Sequence, residues 1–314
     1  MHMRITKNNH FDFERQVVLQ EIAMHHDTPD DLVFDLYQEM AFTDQPLGRS
    51  ILGLPEQVEH YSREDLIAYT KKHYQPNRMV LAAAGCVDHE KTVAVASDFF
   101  AGATNGAAKH AAAKAHYKGG EKTLEKDLEQ VQLVLGFPGL PSPHADYYRL
   151  QVFSTILGGG MSSRLFQEIR ERRGLAYSVS SFASGYQDVG MLGIYAGTTV
   201  EHLPELTGAL KSVLASMKEG VSDAELLRAK NQLKAGTVMT GENCGSIAEW
   251  IARHLLVYGQ YRTAQQLLAE IDAVTKEDMI RMAELCLSAA TPTVAALGPI
   301  GSVKHAGLSA RLAA

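Results

Sequence analysis

Apolar residues recur at helical spacing in some segments of this chain and alternate with polar residues in others. Leu32, Leu36 and Met40 recur every fourth residue and predict a helix of about residues 30–42. Residues 131–135 alternate between apolar and polar side chains, which is typical of a strand. The chain is therefore expected to fold into helices and strands. Further helices are predicted at about 14–24, from Ser62, from about Ala145, and at 164–172, 202–219, 222–235 and 246–258, and further strands at 79–84, 175–184 and 190–198.

Residues that cap helix N-termini precede three of these helices. Thr28 is followed three residues later by Asp31, and Ser222 is followed at the same spacing by Glu225. Both pairs match the capping box, in which two side chains satisfy the free N–H groups at a helix start. Ser62 is placed in the same way before its helix. These positions predict where the helices begin.

One α/β unit occurs twice in the chain, at a constant offset of 275 − 62 = 213 residues. Residues 58–86 match residues 271–299 without a gap, and seven of eight compared pairs are identical or nearly isosteric. The pairs are Ser62/Thr275, Glu64/Glu277, Asp65/Asp278, Leu66/Met279, Ile67/Ile280, Ala82/Ala295, Ala83/Ala296 and Gly85/Gly298. The helix cap, helix, strand and glycine recur in order, so we expect two homologous domains.

The two copies differ in length ahead of the shared segment. The second copy begins near Gln130 and has 226 − 130 = 96 residues before Leu226, whereas the first has only 12 before Phe13. We therefore expect about 96 − 12 = 84 residues of the first copy to be absent and the chain to begin inside a domain. The predicted boundaries are a leader at 1–12, a truncated first domain at 13–100, a linker rich in Ala, Gly and Lys at 101–120, and a second domain at 121–314.

Composition excludes several classes of protein. The formal charge is −6 over 314 residues, and no basic stretch is present that would neutralise the phosphates of a nucleic acid. Three widely spaced cysteines form neither a disulfide framework nor a cysteine zinc motif, which favours a reducing, cytoplasmic location. No apolar run approaches membrane-spanning length, and residues 1–10 lack the apolar core of a signal peptide.

Two acidic residues share one side of the first predicted helix. Glu14 and Glu21 are two helical turns apart, so their carboxylates point in the same direction. Most such acids lie on a solvated edge of the helix, and the alternative is that they form a functional site. His25 lies four residues after Glu21, but His25 and His26 are better explained as a solvated helix end. If the chain binds a metal, these two histidines and His10 are the first candidate ligands.

A second informative segment runs from Glu168 to Tyr177, from a predicted helix end into a predicted strand. Cations are favoured at a helix C-terminus, which accounts for its arginines. It does not account for a tyrosine, Tyr177, at the start of the strand. A guanidinium and a phenol are in general suitable donors to a developing negative charge. Arg172 and Arg173 are interpreted as solvated.

The order of these features resembles one protein family along nearly the whole chain. The Glu14/Glu21 helix, the loop 44–53, the segment 158–164 and the segment 170–177 follow each other as in the pitrilysin/insulinase family of zinc metallopeptidases. The resemblance is to the branch of the mitochondrial processing peptidase and its bacterial relatives. It implies an α+β fold of two homologous sandwich-like domains, each an antiparallel sheet covered by helices.

The resemblance also implies roles for particular residues. Glu21 corresponds to the third zinc ligand, and Glu14 to an acid that supports it from outside the coordination sphere. Arg170 and Tyr177 correspond to a pair on the non-catalytic half that contacts the substrate backbone and the oxyanion. The H-x-x-E-H motif, which supplies two zinc ligands and the general base, does not occur in these 314 residues. At the repeat offset, the counterpart of Glu21 is Lys234, so the second copy is expected to be non-catalytic.

Two functions are compatible with this pattern. A complete relative would be a zinc endopeptidase that cleaves peptides or unfolded polypeptides in a two-domain clamshell. One carboxylate does not hold zinc tightly, so this chain alone is expected to bind no zinc and to be inactive. The alternative is a non-catalytic subunit that binds peptides or forms a homo- or heterodimer with a catalytic homologue. A nucleic acid or a membrane is not expected as a partner.

Overall fold

The computed structural model describes residues 8–102, 113–288 and 291–302. These residues divide into two compact units, each assembled from segments that are distant in sequence. The first unit contains residues 8–24, 52–102, 113 and 237–264, and the second contains residues 25–51, 114–236, 265–288 and 291–302.

Helices make up most of the described chain. They are α1 (Asn8–His26), α2 (Pro29–Ala41), α3 (Pro55–His60), α4 (Arg63–His73), α5 (His89–Phe100), α6 (Tyr147–Gly158), α7 (Leu203–Lys218), α8 (Asp223–Thr240), α9 (Cys244–Tyr258), α10 (Ala264–Asp272) and α11 (Lys276–Leu287). A π-helix spans Phe166–Arg172, and short 3-10 helices lie at Pro46–Gly48, Pro76–Arg78 and Ile300–Ser302. No helix in the described part of the chain is long and apolar enough to cross a membrane.

The second unit is built around a five-stranded sheet. Its strands are β1 (Gly120–Glu125), β2 (Val131–Gly139), β3 (Ser178–Gly185), β4 (Gly190–Thr198) and β5 (Thr293–Gly298). Their order is β1-β5-β2-β4-β3, with β1 parallel to β5 and every other neighbouring pair antiparallel. β5 therefore has a hydrogen-bonded neighbour on each side.

Each face of this sheet buries its own apolar cluster, because successive strand residues point to opposite sides. On β5, Val294 and Ala296 join the cluster that contains residues of α6, α7 and α11. The alternate residues Ala295 and Leu297 join a second cluster with residues of α2. The sheet is thus covered by helices on both faces, and the predicted α+β fold is confirmed.

The first unit is helical in its described residues and buries few side chains. None of the residues of α3, α4 and α5 is buried. The strand predicted at residues 79–84 is not formed here, and that prediction is wrong. A strand requires a neighbouring strand to hydrogen-bond its backbone, and all five strands of the described residues belong to the second unit. Met79 and Leu81 are 41% and 65% exposed.

The predicted cap at Ser62 and one of the two predicted capping boxes are present. The Asp65 N–H donates to Ser62 Oγ over 3.1 Å, and the Ser62 N–H donates to Asp65 Oδ2 over 2.9 Å. Ser222 and Glu225 make the same reciprocal pair at the start of α8. Thr28 is the N-cap of α2, but its side chain makes no capping hydrogen bond. The predicted domain boundaries stay a prediction; residues 8–12 lie in α1, and residues 103–112 of the predicted linker lie outside the described residues.

Candidate substrate-binding site

Arg170 and Tyr177, the two substrate-binding candidates of the second unit, lie side by side. The Arg170 guanidinium carbon is 4.4 Å from the centre of the Tyr177 ring. The same guanidinium is 4.8 Å from the centre of the Phe166 ring, one helical turn earlier. A guanidinium stacked on aromatic faces keeps its in-plane N–H groups available. Two rings therefore fix the direction of this cation.

Local backbone geometry places Tyr177 beside Arg170. The π-helix ends at Arg172, and two residues later Gly174 has a φ of +63°, a left-handed conformation that favours glycine. The Leu175 N–H donates to the Ile169 carbonyl over 2.9 Å, which turns the chain back toward β3. Ile169 is fully buried and packs the π-helix against the core of the second unit. Tyr177 is left 74% exposed at the entrance to the strand.

The neighbouring residues Arg172 and Arg173 both pair with one acid, Glu168. Glu168 accepts a hydrogen bond from Arg172 Nη1 over 3.0 Å and from Arg173 Nη2 over 2.8 Å. The hydrogen bond from Arg173, aided by that from Arg172, holds the pKa of Glu168 below its usual value. Arg172 and Arg173, interpreted as solvated, are exposed to solvent, and both are also paired with Glu168. By contrast, the ion pair of Arg170 with Glu171 is long, at 3.9 Å.

Arg164, just before the π-helix, fixes this region to the following helices. Its guanidinium donates to Glu225 Oε1 over 2.7 Å, to the Ser216 carbonyl over 2.8 Å and to the Gly220 carbonyl over 2.8 Å. The Arg164 hydrogen bond lowers the pKa of Glu225 to about 2. A groove of about 580 Å³ runs alongside, lined by residues that include Arg164, Gln167 and Arg172. The π-helix therefore forms part of the wall of an open groove.

The acids of α1 do not form a metal site among the described residues. Glu14 and Glu21 are both exposed, and Glu14 lies 3.5 Å from His10 Nε2 in an exposed pair. His25 Nε2 lies 3.1 Å from Asp35 Oδ2, so His25 is paired rather than solvated. No three His, Cys, Asp or Glu residues in the described ranges come together in a way that would hold a metal ion. The described residues thus do not fit a zinc ion with three protein ligands.

Sequence reasoning identified Arg170 and Tyr177 but missed Phe166 and the π-helix. Phe166 and Arg170 are four residues apart, a spacing at which helical side chains meet, so this contact was accessible from the sequence. The π-helix was not, because seven residues of π-helix are rare and have no simple sequence signal. π-helical segments occur frequently at functional sites.

Comparison with known proteins establishes the family. Residues 60–233 match the model of the peptidase M16 inactive domain. The chain is 39% identical over 287 residues to an uncharacterized zinc protease of Rickettsia felis, covering 91% of this chain and 69% of the relative. It is 36% identical over 270 residues to the uncharacterized zinc protease YmxG of Bacillus subtilis, covering 86% of this chain and 66% of the relative.

This chain belongs to the peptidase M16 family. The family predicted from the sequence is thereby confirmed. Solved structures agree on the fold: a peptidase M16 inactive domain from Pseudomonas fluorescens has a TM-score of 0.85 at 21% identity, over 93% of this chain and 71% of that chain. A protease from Helicobacter pylori has a TM-score of 0.82 at 22% identity, over 93% and 72% of the respective chains. A chain of Complex III2 from Candida albicans has a TM-score of 0.83 at 21% identity, over 94% and 72%.

Proposed function

We propose that this chain is the peptide-binding, non-catalytic part of a zinc metalloendopeptidase of the M16 family. In this proposal Arg170 and Tyr177 bind the backbone of an extended peptide. The single observation that carries it is the stacking of Arg170 between Phe166 and Tyr177 in the second unit. The match of residues 60–233 to the inactive domain of the family supports the same role.

The chemistry of the pair suits a peptide carbonyl. Arg170 presents N–H donors that cannot be deprotonated at neutral pH, and Tyr177 presents a phenolic O–H. Both are donors to an oxygen that carries, or develops, negative charge. Neighbouring cations do not compete for the same role, because Glu168 holds Arg172 and Arg173. The groove beside the π-helix is lined by other residues of that helix, Gln167, Glu168 and Arg172, and is not part of this proposed contact.

The catalytic part of the proposal concerns zinc. Glu21 would serve as a zinc ligand, with Glu14 supporting it, only where two further ligands are supplied from elsewhere, since the described residues do not complete the set. The sequence contains no H-x-x-E-H motif and therefore no general base of that kind. We propose that this chain alone neither holds zinc nor cleaves peptides.

A second candidate function is that of a partner subunit. A homo- or heterodimer with a catalytic homologue would supply the missing ligands, and the clamshell arrangement implied by the resemblance would then form around the peptide. The presence of a structural relative within Complex III2 from Candida albicans supports a role in an assembly. The three free cysteines support a reducing, cytoplasmic location.

Peptide binding is tested by fluorescence polarisation with a fluorescein-labelled, unstructured casein peptide. Arg170→Ala is expected to weaken binding by about 10-fold, because a hydrogen bond from a charged group contributes ~1.5 kcal/mol. Tyr177→Phe, which removes only the hydroxyl, is expected to weaken it by about 3-fold. Arg172→Ala is the matched control on the same helix and is expected to change binding less than 2-fold, since Glu168 already occupies it. Equal losses for Arg170→Ala and Arg172→Ala would reject the assignment.

Zinc content and hydrolysis test the rest. The purified chain, washed with a mild chelator, is expected to contain no zinc by elemental analysis and to leave a quenched fluorogenic peptide intact. About one zinc per chain would contradict this part, and His10, His25 and His26 would then be substituted first. A catalytic homologue with an H-x-x-E-H motif is then added to distinguish a peptide-binding role from a partner-subunit role. Only a partner subunit would raise the rate at which the homologue cleaves the peptide.

A further inference from the structure

Two exposed thiols belong to one small region of the first unit. Cys86 and Cys244 are both exposed and free, although 244 − 86 = 158 residues separate them in the sequence. Cys86 follows the extended segment 79–84, and Cys244 is the first residue of α9. The third cysteine, Cys286, is buried in the apolar cluster of the second unit. Two of the three thiols are therefore accessible to solvent, and the third is not.

Gly85, the residue before Cys86, lies next to the side chain of Cys244. A Cβ placed on Gly85 would lie 3.1 Å from the Sγ of Cys244 and 3.7 Å from its Cβ. Disulfides have Cβ–Cβ separations of roughly 3.5–4.5 Å, so the residue that precedes Cys86 lies at disulfide distance from Cys244. Cys86 follows directly, with its Cα about 3.8 Å from that of Gly85 across a trans peptide.

The turn around Cys86 allows the remaining approach. The Val87 N–H donates to the Gly85 carbonyl over 2.9 Å, which places Cys86 at the apex of a tight turn. Gly85 has a φ of +113°, a conformation open to glycine and rarely to other residues. Residues 80–84 make no ladder hydrogen bonds in the described structure. A rotation at Gly85 therefore breaks no strand pairing, and it changes the position of Cys86 relative to Cys244.

We infer that Cys86 and Cys244 form an intramolecular disulfide when the chain meets a small-molecule disulfide, and that this bond ties residues 85–87 to the start of α9. Neither the family match nor the proposed peptide site assigns any role to these cysteines. The inference is independent of the proposed function, because Arg170 and Tyr177 belong to the second unit.

The reaction is a thiol–disulfide exchange in two steps. One cysteine thiolate attacks a sulfur of the small disulfide, whose S–S bond breaks and releases one thiolate. The second cysteine thiolate then attacks the protein sulfur of the mixed disulfide and expels the other small thiolate. The two protein thiols lose two protons and two electrons in total, and the small disulfide is reduced to two thiols. A reducing compartment would reverse the reaction.

Cys286 provides an internal control. Burial raises the pKa of its thiol to about 12, so it is expected to stay protonated and unreactive in the folded protein. The folded, reduced chain should therefore show two reactive thiols and the unfolded chain three. After oxidation the folded chain should show no reactive thiol, and the unfolded chain should show one.

The experiment treats the reduced chain, at low micromolar concentration, with glutathione disulfide and counts thiols with Ellman's reagent before and after denaturation. Tryptic mapping without reductant is expected to reveal one cross-linked peptide containing Cys86 and Cys244. Cys86→Ser and Cys244→Ser are matched controls, and each is expected to give a glutathione adduct at the remaining exposed cysteine. Limited proteolysis reports the consequence: oxidation should slow cleavage within residues 79–87 by several-fold, and dithiothreitol should restore the original rate.

Three results would overturn the inference. They are glutathione adducts on both exposed cysteines of the wild-type chain, disulfide-linked dimers in place of the internal cross-link, and a cross-link that includes Cys286. Peptide binding by the oxidised chain is measured in parallel. Because that assay depends on the second unit, its failure would be distinguishable from failure of the cross-link.

Discussion

The two copies of the repeated α/β segment have nearly the same sequence pattern and very different surroundings. The first copy contains α4 and the extended residues 79–84, and the second contains α11 and β5. Both helices begin with a capping box, and both segments end with a glycine at positive φ, +113° at Gly85 and +144° at Gly298. The local conformations encoded by the sequence are therefore formed in both copies.

Burial separates the two copies. All six residues of β5 are buried, whereas residues 79–84 alternate between exposed and half-buried. The pair Ala83 and Ala296 shows the contrast, since Ala296 is 0% exposed and Ala83 is an exposed residue. β5 has strands on both sides, and residues 79–84 have none among the described residues. Short-range sequence fixes caps and turns, while a strand depends on neighbours from elsewhere in the chain.

The largest difference between the copies is expected at the first apolar position of each helix. Met279 on α11 is fully buried, and Met279→Ala is expected to lower the stability of the second unit by about 2–5 kcal/mol, because it leaves a cavity. Its counterpart Leu66 on α4 is only half-buried, and Leu66→Ala is expected to cost less than about 1 kcal/mol. Hydrogen exchange of β5 peptides and α4 peptides at increasing urea concentration measures each unit separately. Similar costs would show that the burial difference does not determine stability.

The terminal glycines provide a second matched pair. A Cβ on Gly298 would lie 2.6 Å from the Gln130 carbonyl oxygen and 2.9 Å from the Val131 Cα, so the clash is with backbone. At Gly85 the contact is the Cys244 thiol at 3.1 Å, a side chain that can rotate away. Both substitutions by alanine strain a positive φ, at a cost of ~1–2 kcal/mol. Gly298→Ala is therefore expected to be more destabilising than Gly85→Ala by about 1–3 kcal/mol, the range for overpacking. Urea denaturation followed by far-UV circular dichroism checks this order.

The same contrast explains which features were predictable. The starts of α4 and α8 followed from Ser62 and Ser222, because a cap is satisfied within four residues of the chain. The strands predicted at β2 and β4 are formed because each has a partner strand in the same unit. Residues 79–84 have the pattern of a strand but no neighbouring strand in the described chain, and the pattern alone does not reveal this.

The candidate site was predictable to a similar extent. Arg170 and Tyr177 were identified by spacing and by resemblance, and the structure brings their side chains together. The pairing of Arg172 and Arg173 with Glu168 was missed, because the π-helical geometry decides which side chains meet. The exposure of Glu14 and Glu21 agrees with the solvated edge that their pattern favoured, and their proposed metal role stays a prediction.

Acid is expected to act on the second unit through Glu225. Its pKa is about 2 in the folded chain and 4.5 for a free glutamate, so its ion pair with Arg164 stabilises the fold above about pH 4.5 and is lost as the pH falls toward 2. Since the pair is partly solvated, we expect a contribution of ~1–2 kcal/mol rather than the full value of the shift. Glu225→Gln should remove this contribution at pH 7 and make no difference near pH 2. Urea midpoints of both proteins between pH 7 and 2.5 measure it, and parallel curves over that range would contradict the assignment.

The smallest difference is expected at the caps, where the two copies should behave alike. Ser62→Ala and Thr275→Ala each remove the side-chain oxygen that accepts the third N–H of the helix, at an expected cost of about 1 kcal/mol. This cost arises within one helical turn, so it does not depend on the strands that bury β5 and leave residues 79–84 open. The single tryptophan, Trp250, lies in the first unit and reports its unfolding by fluorescence, while exchange of β5 amides reports the second. Asp278, unlike Asp65, also bonds Arg281, so substitution of the serine and threonine rather than the aspartates isolates the cap. A cost at Thr275 several times that at Ser62 would mean that burial strengthens the cap itself, and the separation of local from long-range contributions would have to be abandoned.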